Sequence, residues 1–129
     1  MSLTNNNAGA VTIGAPVYSS AAGAFDLAVN DTAAHALVIG LVATQSVASG
    51  ATGLVQPNGP ITATTAQWDA ICGTSGGLTF GTIYYLGSAP GTLTATPPDT
   101  AGTWATQVGT GLSPTEMNIV IQPAIGAIV

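Results

Sequence analysis

Apolar and polar positions alternate along most of this chain with the short period of extended segments. "GAFDLAVNDT" puts Phe25, Leu27 and Val29 on one face, the pattern of a half-buried strand. The preceding "VTIGAPVYSS" is short and β-prone, with Pro16 placed for an edge or a strand start. Between them "SSAAG" fits a hairpin loop. "ALVIGLVAT" is an almost unbroken apolar run with β-branched residues and is expected as a buried strand. "ATGLVQPNGPITAT" is expected to hold two short strands around Asn58-Gly59, in a turn loosened by Pro57 and Pro60.

One segment breaks this rhythm. In "TTAQWDAICG", Thr64 or Thr65 is placed to cap a helix of one or two turns, and Gly73 to end it. Trp68 and Ile71 stand three apart and would enter the core together. β patterning then resumes. "GLTFGTIYYLGSAPGTLTATPP" (77–98) predicts a strand, a glycine turn and a returning strand, with Tyr84 and Tyr85 on opposite faces. "TWATQVGTGLS" and the β-branched "MNIVIQPAIGAIV" supply the last strands. Only the polar "SLTNNNAGA" lacks periodicity, and residues 1–10 are expected as an N-terminal arm.

A short repeat runs through this pattern. Gly14, Tyr18 and Gly23 align with Gly81, Tyr85 and Gly91, and Ile39-Gly40 corresponds to Val108-Gly109. The expected architecture is all-β: a sandwich or barrel of short antiparallel strands with at most one short helix near 65–72. Residues 11–129 form a single β domain, with room for two similar units at about 11–60 and 74–129.

Composition changes the picture by what it withholds. The 129 residues contain no Lys or Arg, five acids and one His, for a formal net charge of −5. Charged residues make up 4%, against about 25% in ordinary globular proteins, while 47% are hydrophobic, enough for a folded chain. Without cations the chain lacks the means to neutralise phosphates, so neither nucleic acid nor an anionic membrane is an expected partner. "MSLTNNNAGA" has no basic start or apolar run of a signal peptide, and "AHALVIGLVA" is too short to span a bilayer. Cys72 is the only cysteine, is expected as a small buried hydrophobe, and leaves the redox compartment open.

Enzyme chemistry finds little footing in these residues. His35 is the only histidine, expected at the start of a buried strand with Asp31 out of reach, and no nucleophile elbow accompanies it. One His and one Cys make no zinc site, the scattered acids make no calcium loop, and the glycines follow neither phosphate-binding pattern. No catalytic residue, cofactor or metal is therefore expected. "VNDT", "PPDT" and "SPTEM" are expected as turns. Tyr18, Tyr84, Tyr85, Trp68 and Trp104 are the candidates for stacking on a sugar.

The stretch from "TAQWDA" through "GGLTFGTIYYLGSAPGTLTATPP" to "QVGTGLSPTEMNIVIQP" resembles a module of tailed-phage structural proteins. Its marks here are Gly77–Leu86, Gly91–Thr94, Pro97-Pro98, Val108–Ser113 and Ile119–Pro123. The N-terminal half, with "GAPVYSSAAGAF", is similar to the opening β unit of small head-decoration proteins. The resemblance implies a non-enzymatic cement protein on the outer capsid surface of a virion, made in the host cytoplasm. Its implied partners are the major capsid protein and its own copies in a homotrimer. The same module in tail-fibre proteins gives the alternative, an adhesin binding host glycans. The arm and the apolar tail supply the expected capsid-contact or subunit-interface residues: Leu3, Asn5, Asn6, Ile119, Ile121, Ile125 and Ile128.

Overall fold

A computed structural model describes all residues, Met1–Val129. Turn chemistry determines how the chain is divided. Strand β1 (Ser2–Asn5) is followed by β2 (Val11–Thr12), then by β3 (Pro16–Ala21) and β4 (Ala24–Leu27), which make a hairpin around Gly23. At φ 73° Gly23 occupies the left-handed region that glycine enters freely. Strands β5 (Val38–Val42), β6 (Ser46–Val47), β7 (Thr52–Gln56) and β8 (Gly59–Thr62) precede helix α1 (Thr65–Cys72). The second half runs β9 (Ile83–Leu86), β10 (Leu93–Thr94), β11 (Gln107–Gly111) and β12 (Glu116–Gln122).

The protein is all-β, with 40% of residues in strands and one short helix. Strands β1-β4-β3-β5-β7 close into a barrel, and β10-β9-β11-β12-β8 form an open sheet packed with it around one core. β2 and β6 pair separately. The two large sheets contain the same antiparallel run, β4-β3-β5-β7 in one and β10-β9-β11-β12 in the other. Their irregularities also coincide. Tyr18 pairs with Val38 and Val17 with Gly40, leaving Ile39 as a bulge. Tyr85 pairs with Gln107 and Tyr84 with Gly109, leaving Val108 in the same place. The aligned pairs Ile39-Gly40 and Val108-Gly109 thus occupy equivalent bulges. A Cβ on Gly40 would lie 2.4 Å from the Gln56 carbonyl oxygen, and one on Gly109 would lie 2.5 Å from that of Asn118. Each bulge needs glycine because the next strand's backbone already fills the space.

Helix α1 forms as its local sequence dictates. Thr64 Oγ1 accepts from the Gln67 amide at 3.1 Å while Gln67 Oε1 accepts from the Thr64 amide at 2.9 Å, a complete capping box. Gly73 closes the helix in the left-handed conformation, its amide bonded to the Asp69 carbonyl. Trp68 and Ile71 are both buried. Trp68 lies against Gly14, and its Nε1 donates to the Thr115 carbonyl at 2.9 Å, so one side chain spans both units. Other stitches are polar and buried. Thr106 Oγ1 donates to the Ala36 carbonyl at 2.8 Å, and Asn30 Nδ2 to that of Leu86 at 3.4 Å.

Three expectations are corrected. Residues 1–10 are not an arm: β1 pairs parallel with β4 and antiparallel with β7, closing the barrel. The strands are therefore not all antiparallel. The segments around Asn58-Gly59 do not form a hairpin either, since β7 stays in the barrel while β8 crosses to pair with β12. Pro60 cannot donate a ladder bond, and its carbonyl is taken by Gln56 Nε2 at 2.7 Å, so the edge strand is blunted by its own loop.

Gly109→Ala is expected to destabilise by about 1–3 kcal/mol, since the new methyl must displace the Asn118 carbonyl. Gly126→Ala, where a Cβ meets nothing within 4 Å, is expected to leave urea unfolding unchanged. Equal midpoints for the two variants would contradict this account of the bulge.

Candidate functional site

The expected contact residues separate in the structure. Asn5 is 1% exposed, and its side chain is fully engaged: Nδ2 donates to the Val47 and Gly9 carbonyls at 2.9 and 3.1 Å, and Oδ1 accepts from the Asn7 amide at 2.9 Å. It pins the first loop, and its burial takes it out of any contact surface. Leu3 is half-buried against the core, whereas Asn6 is exposed and donates to Ser20 Oγ at 3.3 Å. Ile119 lies in the core, facing inward on β12, so it too is corrected from surface to interior. Ile121 is half-buried and packs on that core. Of the expected apolar contact residues, only one in the tail points fully outward. Ile125 and Val129 are fully exposed, while Ile128 is half-buried, its backbone bonded to Thr103 and Gly102.

The tail is held in place by the chain. Ala127 bridges Trp104, and the Ile128 amide donates to the Thr103 carbonyl at 2.8 Å. Pro123 and Ala124 form a ridge between two surface grooves. One is apolar, lined by Ala33, Ala36, Leu37, Trp104 and Thr106, with Leu37 56% exposed. The other opens beside Tyr85, Gln107 and Gln122. Leu37 is exposed at the first groove, Ile125 at the second, and Val129 in the same tail, and exposed apolar groups on either side of a ridge are features of contact surfaces.

A third groove gathers the titratable side chains. Tyr18, Asp26, Asp31 and His35 line it together with Asn7 and Pro90. His35 Nδ1 meets Asp31 Oδ1 at 2.8 Å, and the imidazole tilts against Tyr18 with ring centroids 5.0 Å apart. The expectation of a histidine on a buried strand with Asp31 out of reach is therefore corrected. Residues 32–36 take a helical turn, with the Ala36 amide bonded to the Thr32 carbonyl at 3.0 Å. A spacing of four then places both side chains on one side. The legible signal was the D-x-x-x-H spacing behind Thr32, whose hydroxyl accepts from the His35 amide at 3.2 Å. No serine, threonine or cysteine lines the groove beside the imidazole to act as a nucleophile.

Asp69 has a structural task, accepting from the Gly76 and Gly77 amides at 3.1 and 2.8 Å and ordering the loop after α1. Ser113 builds the expected turn, its hydroxyl accepting from the Glu116 amide at 3.1 Å. Trp68 and Tyr84 are buried, the latter with its hydroxyl accepting from the Thr79 amide at 2.8 Å. Tyr18, Tyr85 and Trp104 remain half-exposed. Cys72 is half-buried at the edge of a hydroxyl-rich cleft of about 410 Å³ between α1 and the β9–β10 hairpin. Comparison with family models, curated proteins and solved structures returned no match.

Burial pushes the Cys72 thiol up to about 11, with the Asp69 carboxylate adding to the shift. A raised folded value means the native thiol keeps its proton where the unfolded one, at 9.0, has lost it. Its contribution to stability is thus intact below pH 9 and is lost as pH rises toward 11. Alkylation by iodoacetamide is expected to be slow at pH 8 in the native protein and to rise only toward pH 11, while in urea the rate climbs near 9. A native inflection below 9 would contradict this environment.

Proposed function

We propose that this chain is a non-enzymatic virion structural protein, a cement protein that binds the outer surface of a phage capsid as a homotrimer. The observation that carries the reading is the apolar tail end. Ile125 and Val129 project fully into solvent from a segment held by its backbone bonds to Gly102 and Thr103, and Leu37 lies across the Pro123–Ala124 ridge. An exposed apolar surface on a backbone already held in place suits a subunit or capsid contact, because less of the chain must be ordered at the moment of binding. The lack of Lys and Arg supports the same reading, since such a contact relies on shape and apolar area rather than on ion pairs. The resemblance of Gly77–Pro123 to phage structural modules supplies the particle. Asn5 and Ile119 are buried and Leu3 and Ile121 pack on the core, so of the expected set Asn6, Ile125 and Ile128 stay, and the exposed Leu37 and Val129 join them.

Light scattering at micromolar concentration is expected to give three times the chain mass of 12.5 kDa, and Leu37→Asp with Ile125→Asp to give the monomer with its fold intact by circular dichroism. Purified capsids lacking the protein are expected to take up the trimer and not the double variant. A wild-type monomer would overturn the trimer. Density for the protein on the tail instead of the head, in images of the particle, would overturn the capsid assignment in favour of a tail module.

A further inference from the structure

The groove on the Tyr85 side of the Pro123–Ala124 ridge has a chemistry of its own. Cross-strand register sets Thr94, Tyr85, Gln107 and Gln122 in one row over β10, β9, β11 and β12. Directly opposed residues on neighbouring strands lie within side-chain contact range, so the row extends about 14 Å across three strand spacings. Neighbouring Tyr84 and Val108 point into the core, leaving Tyr85 and Gln107 to the outer face. Pro123, Ala124 and Ile125 wall one side, enclosing about 270 Å³.

The polar groups of this row are unused. Gln45, Gln56 and Gln67 all bond within the chain, whereas the amides of Gln107 and Gln122 have no partner in it. The Tyr84 hydroxyl is taken by Thr79, but the Tyr85 hydroxyl is free. The equivalent position in the first unit sharpens the contrast. Tyr18 occupies the same place beside its bulge, but its ring is already packed on His35, with Asp26 and Asp31 around it. The Tyr85 face is open and neutral.

The geometry points to the Tyr85–Gln107–Gln122 row as a binding site for a neutral, hydroxyl-rich ligand of the saccharide class. An amide side chain both donates and accepts, which matches hydroxyls that do the same. A tyrosine ring offers an apolar face for the C–H side of a sugar and a polar tip for its rim. Charge excludes the other classes. An anionic ligand finds no Lys or Arg anywhere in the chain, and a cation finds no carboxylate among the row's side chains. A sugar bearing a carboxylate would enter the field of a chain of net charge −5 with nothing to offset it.

The experiment is a printed array of neutral and sialylated oligosaccharides probed with the full chain, followed by titration of the strongest neutral hit by ligand-observed NMR. Neutral glycans are expected to bind and sialylated ones not. Tyr85→Ala and the Gln107→Ala, Gln122→Ala pair are each expected to weaken the hit about tenfold or more, roughly the scale of one lost stacking or paired hydrogen-bond contact. Tyr18→Ala is expected to keep it even if it lowers the melting midpoint through lost packing, whereas the Tyr85, Gln107 and Gln122 variants are expected to melt with the wild-type midpoint, since those side chains are not packed into the core. No neutral hit, a preference for sialylated glycans, or unchanged binding by Tyr85→Ala in a folded protein would each overturn the assignment.

Discussion

Trp68 sets the geometry of this molecule. A chain without Lys or Arg cannot clamp two sheets together with ion pairs of the usual kind, and its histidine–carboxylate contact, His35 with Asp31, lies at the surface. The two units are held by contacts that need exclusion of water. The indole is fully buried, lies on Gly14 at the entrance to the barrel run, and donates to Thr115 just before β12. Gly14 is the matching requirement, because a Cβ there would stand 2.9 Å from the indole ring. Replacing a buried tryptophan with alanine costs about 3–5 kcal/mol in general. Here the lost side chain would also leave the Thr115 carbonyl with the Ala63 amide as its one remaining donor. The remaining stitches, Thr106 to Ala36 and Asn30 to Leu86, are neutral hydrogen bonds in the same sealed seam. No buried side-chain polar atom is left without a partner.

The two halves solve the same local problem twice and then diverge. In each, a bulge at an apolar-glycine pair lets a backbone carbonyl of the next strand approach too closely for any side chain. In each, a tyrosine sits beside that bulge on the outer face. The difference lies in how the run of four strands ends. β1 closes the first run into a barrel, hiding its edges, while β8 extends the second and leaves a sheet with an outer face. That divergence accompanies the different surroundings of the tyrosines: Tyr18 faces the turn carrying His35, and Tyr85 sits between Thr94 and Gln107, with Gln122 one strand further on.

What the sequence made legible is what is decided locally. Helix α1 was readable from Thr64, Gln67 and Gly73, because capping acts within a few residues. The 83–94 hairpin and the alternation of Tyr84 and Tyr85 were readable from the period of two. Strand β1 was not, since "SLTN" is polar and small and becomes a strand only through pairing with residues twenty or more positions away. The Asn58-Gly59 segment misled for a related reason. Its turn signal is genuine, but Gln56 folds the loop and β12 captures β8, so tertiary pairing overrode the hairpin. Ile119 and Ile125 look alike in "MNIVIQPAIGAIV", yet strand alternation buries the first and the turn after Pro123 exposes the second. Asp31 and His35 were separated on paper by assuming extended backbone where the chain makes a helical turn.

The absence of cations shapes the outer surface as much as the interior. Every interface this protein makes must be built from apolar area, amides and hydroxyls, and its negative charge repels any acidic partner at long range. The apolar Leu37 groove and the Tyr85 row are two answers to that constraint on either side of one ridge. The first offers aliphatic surface suited to another folded protein. The second offers amides and a ring suited to a small neutral ligand. They share Pro123 and Ala124, so a subunit seated on the apolar groove would rest on the same backbone that walls the tyrosine groove. Packing against that ridge would stiffen Gln122 and Ile125 at the edge of the row, and ordering a wall before a ligand arrives lowers what binding must spend in entropy.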